Sequence, residues 1–201
     1  YNRELLLREM AIFCEWYLHK HLSIELNQNE QSAIAECFDA LAANALQQPQ
    51  VIVHRDYHSR NLLYTKAKNP GILDFQDAVI GAITYDLVSL LKDCYIAWPE
   101  DQVVKWVIAY KLQCEQAGLI ANIEEAQFLK WFDLMGTQRH LKAVGIFARL
   151  KHRDGKPGYL HDIPRTLNYV YQTAKRYPEL DFLSQLLSSP DFAQRTPGET
   201  N

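Results

Sequence analysis

Apolar positions along the chain fall into two spacings, helical at both ends and strand-like in the middle. From residues 3 to 20, Leu and aromatic side chains recur at helical spacing and predict an amphipathic helix. Asn27 with Glu30 three residues later has the form of a capping box. It opens a second predicted helix that runs to about Gln47 and ends before Pro49, since a residue preceding proline is pushed out of the helical region. The period then shortens. Val51-Ile52-Val53 is a β-branched run and predicts a buried strand. Leu62-Leu63-Tyr64 and Ile72-Leu73 lie on either side of the Pro70-Gly71 turn and predict a short strand pair. Helical spacing returns at Tyr85 and continues to about Trp98. Pro99 suits the first turn of a further helix that stops at Gly118. Asn122 with Glu125 is another capping-box pattern, opening a long segment to about Leu150. A polar loop is expected over 151–158, Pro164 and Pro178 are expected as first-turn prolines of two final helices, and 188–201 reads as a polar tail.

The predicted fold class is therefore mostly α with a small β-hairpin region near residues 50–75. The strands are too few for a doubly wound sheet, and their expected role is to carry a loop rigidly. A length of 201 residues fits one domain, or one with a minor subdomain. Apolar residues make up 48% of the chain but form no long run, so no membrane partner is expected. A net charge of −3 gives no nucleic-acid footprint. The cysteines, Cys14, Cys37, Cys94 and Cys114, form no CxxC and lie in apolar helical contexts, so they read as buried thiols of a reducing, cytoplasmic compartment. His19 and His21 resemble a ligand pair, but residues two apart on a helix do not face each other, so packed or solvated histidines are expected.

The chemistry concentrates between the predicted strands, in His54-Arg55-Asp56-Tyr57-His58-Ser59-Arg60-Asn61, followed after the turn by Asp74-Phe75. Transfer of a phosphoryl group from a nucleotide needs positioning, a divalent metal to neutralise phosphate charge, and an acceptor for the attacking hydroxyl's proton. Asp56 can be that acceptor. Asn61 and Asp74 can ligate Mg²⁺, which prefers oxygen and keeps several waters, so two side chains plus phosphates suffice. The amide supplies an oxygen without a second negative charge beside the phosphates. A metal-dependent hydrolase would need more His or carboxylate ligands than this loop supplies. The chain also holds a second His-Arg-Asp triplet, His152-Arg153-Asp154, with Tyr159 where the amide would stand. That triplet is read as part of a polar loop.

The pattern HRDxxxxN followed by Asp-Phe resembles the protein-kinase catalytic loop and its metal-binding Asp. Gln76 stands where protein kinases carry the Gly of DFG. The run Leu73-Asp74-Phe75-Gln76-Asp77-Ala78, with Gly81 and Tyr85-Asp86-Leu87, is similar instead to the aminoglycoside phosphotransferase/choline kinase superfamily. Ile83 to Tyr95, Trp131 to Gly136, Gln138 to Lys142 and Gly145 to Leu150 narrow the resemblance to bacterial anomeric kinases acting on N-acetylmuramate and N-acetylglucosamine. The resemblance implies a protein-kinase-like C-terminal lobe (α+β), ATP and Mg²⁺ as cofactors, a small amino-sugar substrate, and a place in cell-wall sugar recycling. It carries over Asp56 as catalytic base and Asn61 and Asp74 as metal ligands. Asp86 is implied as an anchor of the catalytic loop, or else caps its own helix. Arg60 is a candidate for phosphate, or else solvated; Asp77 reads as surface. Arg139 and His140 are candidate substrate contacts, since N-acetylmuramate carries a lactyl carboxylate that an Arg can bind bidentately.

One departure stands out. The eight glycines (71, 81, 118, 136, 145, 155, 158, 198) make neither GxGxxG nor a P-loop, and no strand-borne VAIK-like Lys is present. The expectation is a C-terminal lobe, over 1–187, without its nucleotide-binding N-terminal lobe, and so with little kinase activity by itself. Aminoglycoside, choline or homoserine kinases of the same superfamily are the alternative substrates. A non-catalytic kinase-like binding module is the alternative from another class.

Overall fold

The computed structural model describes residues 1–195. The chain is mostly helical with two small antiparallel sheets, as the spacing predicts. It divides into two units. The first comprises Tyr1 and Asn44–Gly136, and the second comprises Asn2–Ala43 together with the chain from Thr137 onward.

The first unit carries the strands. β1 (Gln50–Val53) pairs antiparallel with β4 (Val79–Ala82), and β2 (Leu62–Leu63) with β3 (Gly71–Ile72). β1 and the β2–β3 pair fall where they are expected. β4 is not predicted, because Gly81 interrupts its apolar run. Gly81 is needed there: a Cβ would come within 2.7 Å of Val53 Cγ2 across the ladder. The β-branched run predicts a buried strand, but of β1 only Val53 is buried. Ile52 and its register partner Ile80 are 76% and 55% exposed, so one face of the sheet is packed and the other open. The core of this unit forms from Val53, Ile83, Tyr85, Val88, Val107 and Phe132, all buried.

Helix α3 spans Tyr85–Leu91 and ends well before Trp98. α4 (Glu100–Gln116) follows, with Pro99 at its N-cap, one position earlier than expected. Gly118 terminates it as predicted, taking φ +69° while the Leu119 N–H donates to Cys114 O at 2.9 Å. α2 (Gln28–Gln47) and α5 (Glu125–Asp154) contribute residues to both units. The Asn27 capping box forms: its Oδ1 accepts the Glu30 N–H at 3.1 Å and its own N–H donates to Glu30 Oε2 at 2.8 Å.

In the second unit, α1 (Arg3–Ile12) continues into a wider π-type stretch, Phe13–His21. Gly145 of α5 meets the chain at that junction. A Cβ there would lie 2.6 Å from Phe13 N, so only glycine permits the approach. α5 runs to Asp154, past the expected end near Leu150, where Lys151 and Arg153 place positive charge against the helix C-terminus. His152-Arg153-Asp154 is thus a last helical turn rather than a loop, and Arg153 pairs with its neighbour Asp154 at 2.7 Å. α6 (Ile163–Ala174) has Pro164 in its first turn, and Pro178 opens a 3₁₀ turn before α7 (Asp181–Ser188). The expected polar tail begins as α8 (Pro190–Arg195) with Phe192 buried, and residues 196–201 lie outside the described part. All four cysteines are free thiols, three of them buried and Cys14 partly so.

Candidate active site

The site is built on the loop that leaves β1 and returns as β2. Its first half is held by Asp86, the second residue of α3. The Asp86 carboxylate accepts the His54 N–H at 2.6 Å and the Arg55 N–H at 3.0 Å. The two charge-assisted bonds hold Arg55 in the left-handed region, φ 77°, which a non-glycine residue rarely adopts. Thr84, not Asp86, occupies the N-cap of α3, and its hydroxyl donates to the buried Gln48 at 2.7 Å. Arg55 Nε also donates to Tyr1 Oη at 3.1 Å.

His54 locks the interior of the loop. Its Nε2 lies 2.8 Å from Leu73 O, which can only accept, so Nε2 carries the proton. Nδ1 is left to accept the Asp56 N–H at 3.3 Å. The imidazole therefore bridges the residue before Asp74 to the backbone of Asp56. Asn61 makes a second bridge. Its Nδ2 donates to Asp56 O at 2.9 Å, and its carbonyl accepts the Leu73 N–H at 3.0 Å. The β2–β3 register continues from that bond, pairing Leu62 with Ile72. Asp56, Asn61 and Asp74, scattered over nineteen positions of sequence, are thereby tied into one hydrogen-bonded unit.

Asp74 sits at φ 62°, and its Oδ1 accepts Gln76 Nε2 at 2.6 Å. The Gln that replaces the kinase glycine thus orients the carboxylate. The donor types suit Mg²⁺: with the Asn61 NH₂ committed to Asp56 O, its Oδ1 is the atom that could meet a cation, and Asp74 supplies one exposed carboxylate. Among the described residues, no group of three or more His, Cys, Asp or Glu forms an alternative centre. Arg60 stacks its guanidinium on the Tyr95 ring, 3.5 Å from the centroid, and the His58 ring meets the same Tyr95 edge-on at 5.4 Å. Asp77 lies in an exposed turn.

Sequence reasoning missed one group here. Asp93, 2% exposed, accepts Ser59 N–H and Oγ–H on one oxygen, at 3.0 and 2.6 Å, and the Tyr95 N–H on the other at 2.9 Å. Its only sequence signal is an Asx-turn spacing to Tyr95 inside a run that reads as helix. Ser59 and Asp93 also border a cavity of about 440 Å³ whose walls include Leu87, Leu90, Trp98 and Trp106. Nearby, Lys92 and Asp133 form a buried ion pair at 2.7 Å, with Lys92 Nζ 5.0 Å from the Phe132 ring centroid.

Arg139 and His140 belong to the second unit. Arg139 is half-buried. His140 is 1% exposed and stacks on Tyr169 at 5.0 Å between centroids. Lys142, from the same basic cluster, is taken up by Glu9 at 2.8 Å.

Residues 1–128 match the model of the phosphotransferase enzyme family, APH. Three curated relatives align along nearly the whole chain. A Pseudomonas aeruginosa N-acetylmuramate/N-acetylglucosamine kinase is 46% identical over 189 residues, 94% of this chain and 56% of that protein. Proteins of the same name from Neisseria meningitidis serogroup B and Pseudomonas putida are 48% and 44% identical, over 93% and 94% of this chain and 56% and 55% of theirs. The chain thus spans about half the length of these relatives. Among the described residues, no helix is long and apolar enough to cross a membrane. With the family model covering well over half of the sequence, and the loop it contains built as described, the chain belongs to the phosphotransferase enzyme family.

Proposed function

We propose that this chain carries the catalytic loop of an ATP-dependent kinase that phosphorylates the anomeric hydroxyl of N-acetylmuramate and N-acetylglucosamine. The observation that carries the reading is the tie between Asp56, Asn61 and Leu73-Asp74, made by His54 and Asn61 through bonds of 2.8 to 3.3 Å. Phosphoryl transfer asks the protein chiefly for positioning and charge stabilisation, and a loop braced at both ends supplies the first. Asp56 is the base that accepts the proton of the attacking sugar hydroxyl. Asn61 and Asp74 hold the divalent cation, which when bound offsets the charge on the nucleotide phosphates. Arg60, pre-oriented on Tyr95, presents its N–H edge to phosphate. Arg139 is the candidate contact for the lactyl carboxylate. The names and identities of the relatives support the sugar as substrate.

Nucleotide binding needs more than this chain displays. Ile52, Ile80, Tyr64, Leu73 and Phe75 are large apolar side chains left exposed on the strands and loops around the site. In this reading they are covered by a nucleotide-binding lobe outside these 201 residues, and the 201 residues alone turn over little substrate. The test is product formation by the full-length protein with ATP, Mg²⁺ and each sugar, compared with Asp56→Asn. An Asp56→Asn variant as active as the parent would refute the assignment.

A further inference from the structure

The structure assigns Asp93 a role as a positioning residue, one carboxylate that sets both Asn61 and Arg60. The inference rests on the reading of those two residues given above. α3 stops at Leu91, seven residues short of where its apolar spacing predicts, and Lys92 leaves helical geometry at φ −117°, ψ 50°. The break turns Asp93 onto the catalytic loop. A carboxylate this buried is costly unless hydrogen-bonded, and each of its oxygens has donors. Oδ2 takes Ser59 N–H and Oγ–H, and Oδ1 takes the Tyr95 N–H.

Each oxygen governs a different functional side chain. Ser59 begins the 3₁₀ turn Ser59–Asn61, closed by the Leu62 N–H on Ser59 O. Fixing Ser59 therefore fixes where the turn delivers Asn61, whose amide can then reach Asp56 O at 2.9 Å. Tyr95 is the platform under the Arg60 guanidinium, 3.5 Å away, so fixing its backbone fixes Arg60. Asp86 holds the entry to the loop and Asp93 the exit. Asp86 acts on Arg55 and the backbone before Asp56; Asp93 acts on the groups that meet cation and phosphate. Loss of Asp93 should therefore fall on metal and nucleotide, not on the sugar.

The test uses the full-length protein, Asp93→Asn, and Ser59→Ala as a milder variant that keeps the buried carboxylate. In Asp93→Asn, amide hydrogen exchange across 59–61 should rise about tenfold or more with α4 unchanged. The Mg²⁺ concentration for half-maximal turnover should rise roughly 10–100-fold, the usual cost of losing a group that orients metal ligands, while KM for sugar stays within about twofold. Ser59→Ala should move the same two readouts in the same direction by about 3–10-fold, less than a full charge-assisted hydrogen bond is worth, because the Ser59 N–H still donates to Asp93. Unchanged exchange and Mg²⁺ dependence in both variants would overturn the inference. So would a uniform rise in exchange through α4 with kcat and every KM affected alike, which marks a merely structural residue. If Asp93→Asn does not fold, Ser59→Ala decides. If the parent protein transfers no phosphate, the kinase reading fails, and the exchange data still decide whether Asp93 holds the loop.

Discussion

Asp86→Asn isolates the entry to the loop. The native carboxylate accepts two backbone N–H groups, at 2.6 and 3.0 Å, one of them from a residue in the left-handed region. An Asn side chain keeps one acceptor oxygen and turns an NH₂ toward the second N–H. At least one charge-assisted bond is lost, worth about 1.5–3 kcal/mol. The left-handed strain at Arg55, of order 1–3 kcal/mol, is then held by one bond instead of two. A net cost of about 2–3 kcal/mol favours release of the loop over unfolding of the core, since Asp86 is only half-buried and its carboxylate bonds the loop's backbone. At about 1.4 kcal/mol per tenfold, the closed-to-open ratio of the loop falls roughly 30–150-fold. Hydrogen exchange should show faster exchange at His54 and Arg55, with the amides of α4 unchanged, and sugar-dependent ADP release should fall, by at most that factor. Parental exchange at both residues would refute the account of how the loop is held.

Three further outcomes follow from other parts of the molecule. Asp133→Ala removes the carboxylate facing buried Lys92 and should cost about 3–5 kcal/mol in urea unfolding, most of it recovered when Lys92→Met is added, because the apolar pair strands no charge. His21 is held near pKa 4 by burial first, then by Lys151 and His152, against an ordinary 6.5, so the unfolded chain binds the proton more readily. Its contribution to stability is present above pH 6.5 and is lost as pH falls toward 4. His21→Asn should flatten that part of the stability–pH profile relative to the parent, and parallel profiles would contradict the assignment. Arg139→Ala should raise KM for N-acetylmuramate about 10–100-fold, the worth of a bidentate carboxylate pair, and leave N-acetylglucosamine within about twofold; equal effects on both sugars would remove Arg139 from the site.

What the sequence disclosed depended on how local the cause was. β1, the capping box at Asn27 and the stop at Gly118 are each written in a few adjacent residues. The end of α3 is not local. Ile96 and Trp98 continue its apolar spacing, while the break follows from Asp93 bonding a residue 34 positions earlier. β4 is hidden because its glycine is required by Val53 on the partner strand. The π-type stretch likewise reads as ordinary helix, with Gly145 packed at its start from far along the chain. The candidate catalytic and metal-binding side chains, Asp56, Asn61 and Asp74, are legible because their chemistry and spacing are specific. The residues that hold them, His54, Asp86 and Asp93, act through contacts 19 to 34 positions away. For Asp86, the sequence alone left a helix cap and a loop anchor equally open.

The central claim is that Asp56 accepts the sugar proton during phosphoryl transfer. It is tested most directly by following sugar 1-phosphate formation by ³¹P NMR with full-length protein, ATP, Mg²⁺ and N-acetylmuramate, in the parent and in Asp56→Asn. The account predicts product from the parent and a rate about 10²–10⁴-fold lower in the variant, with sugar affinity retained. Equal rates, or an unphosphorylated anomeric position in the parent, would contradict it.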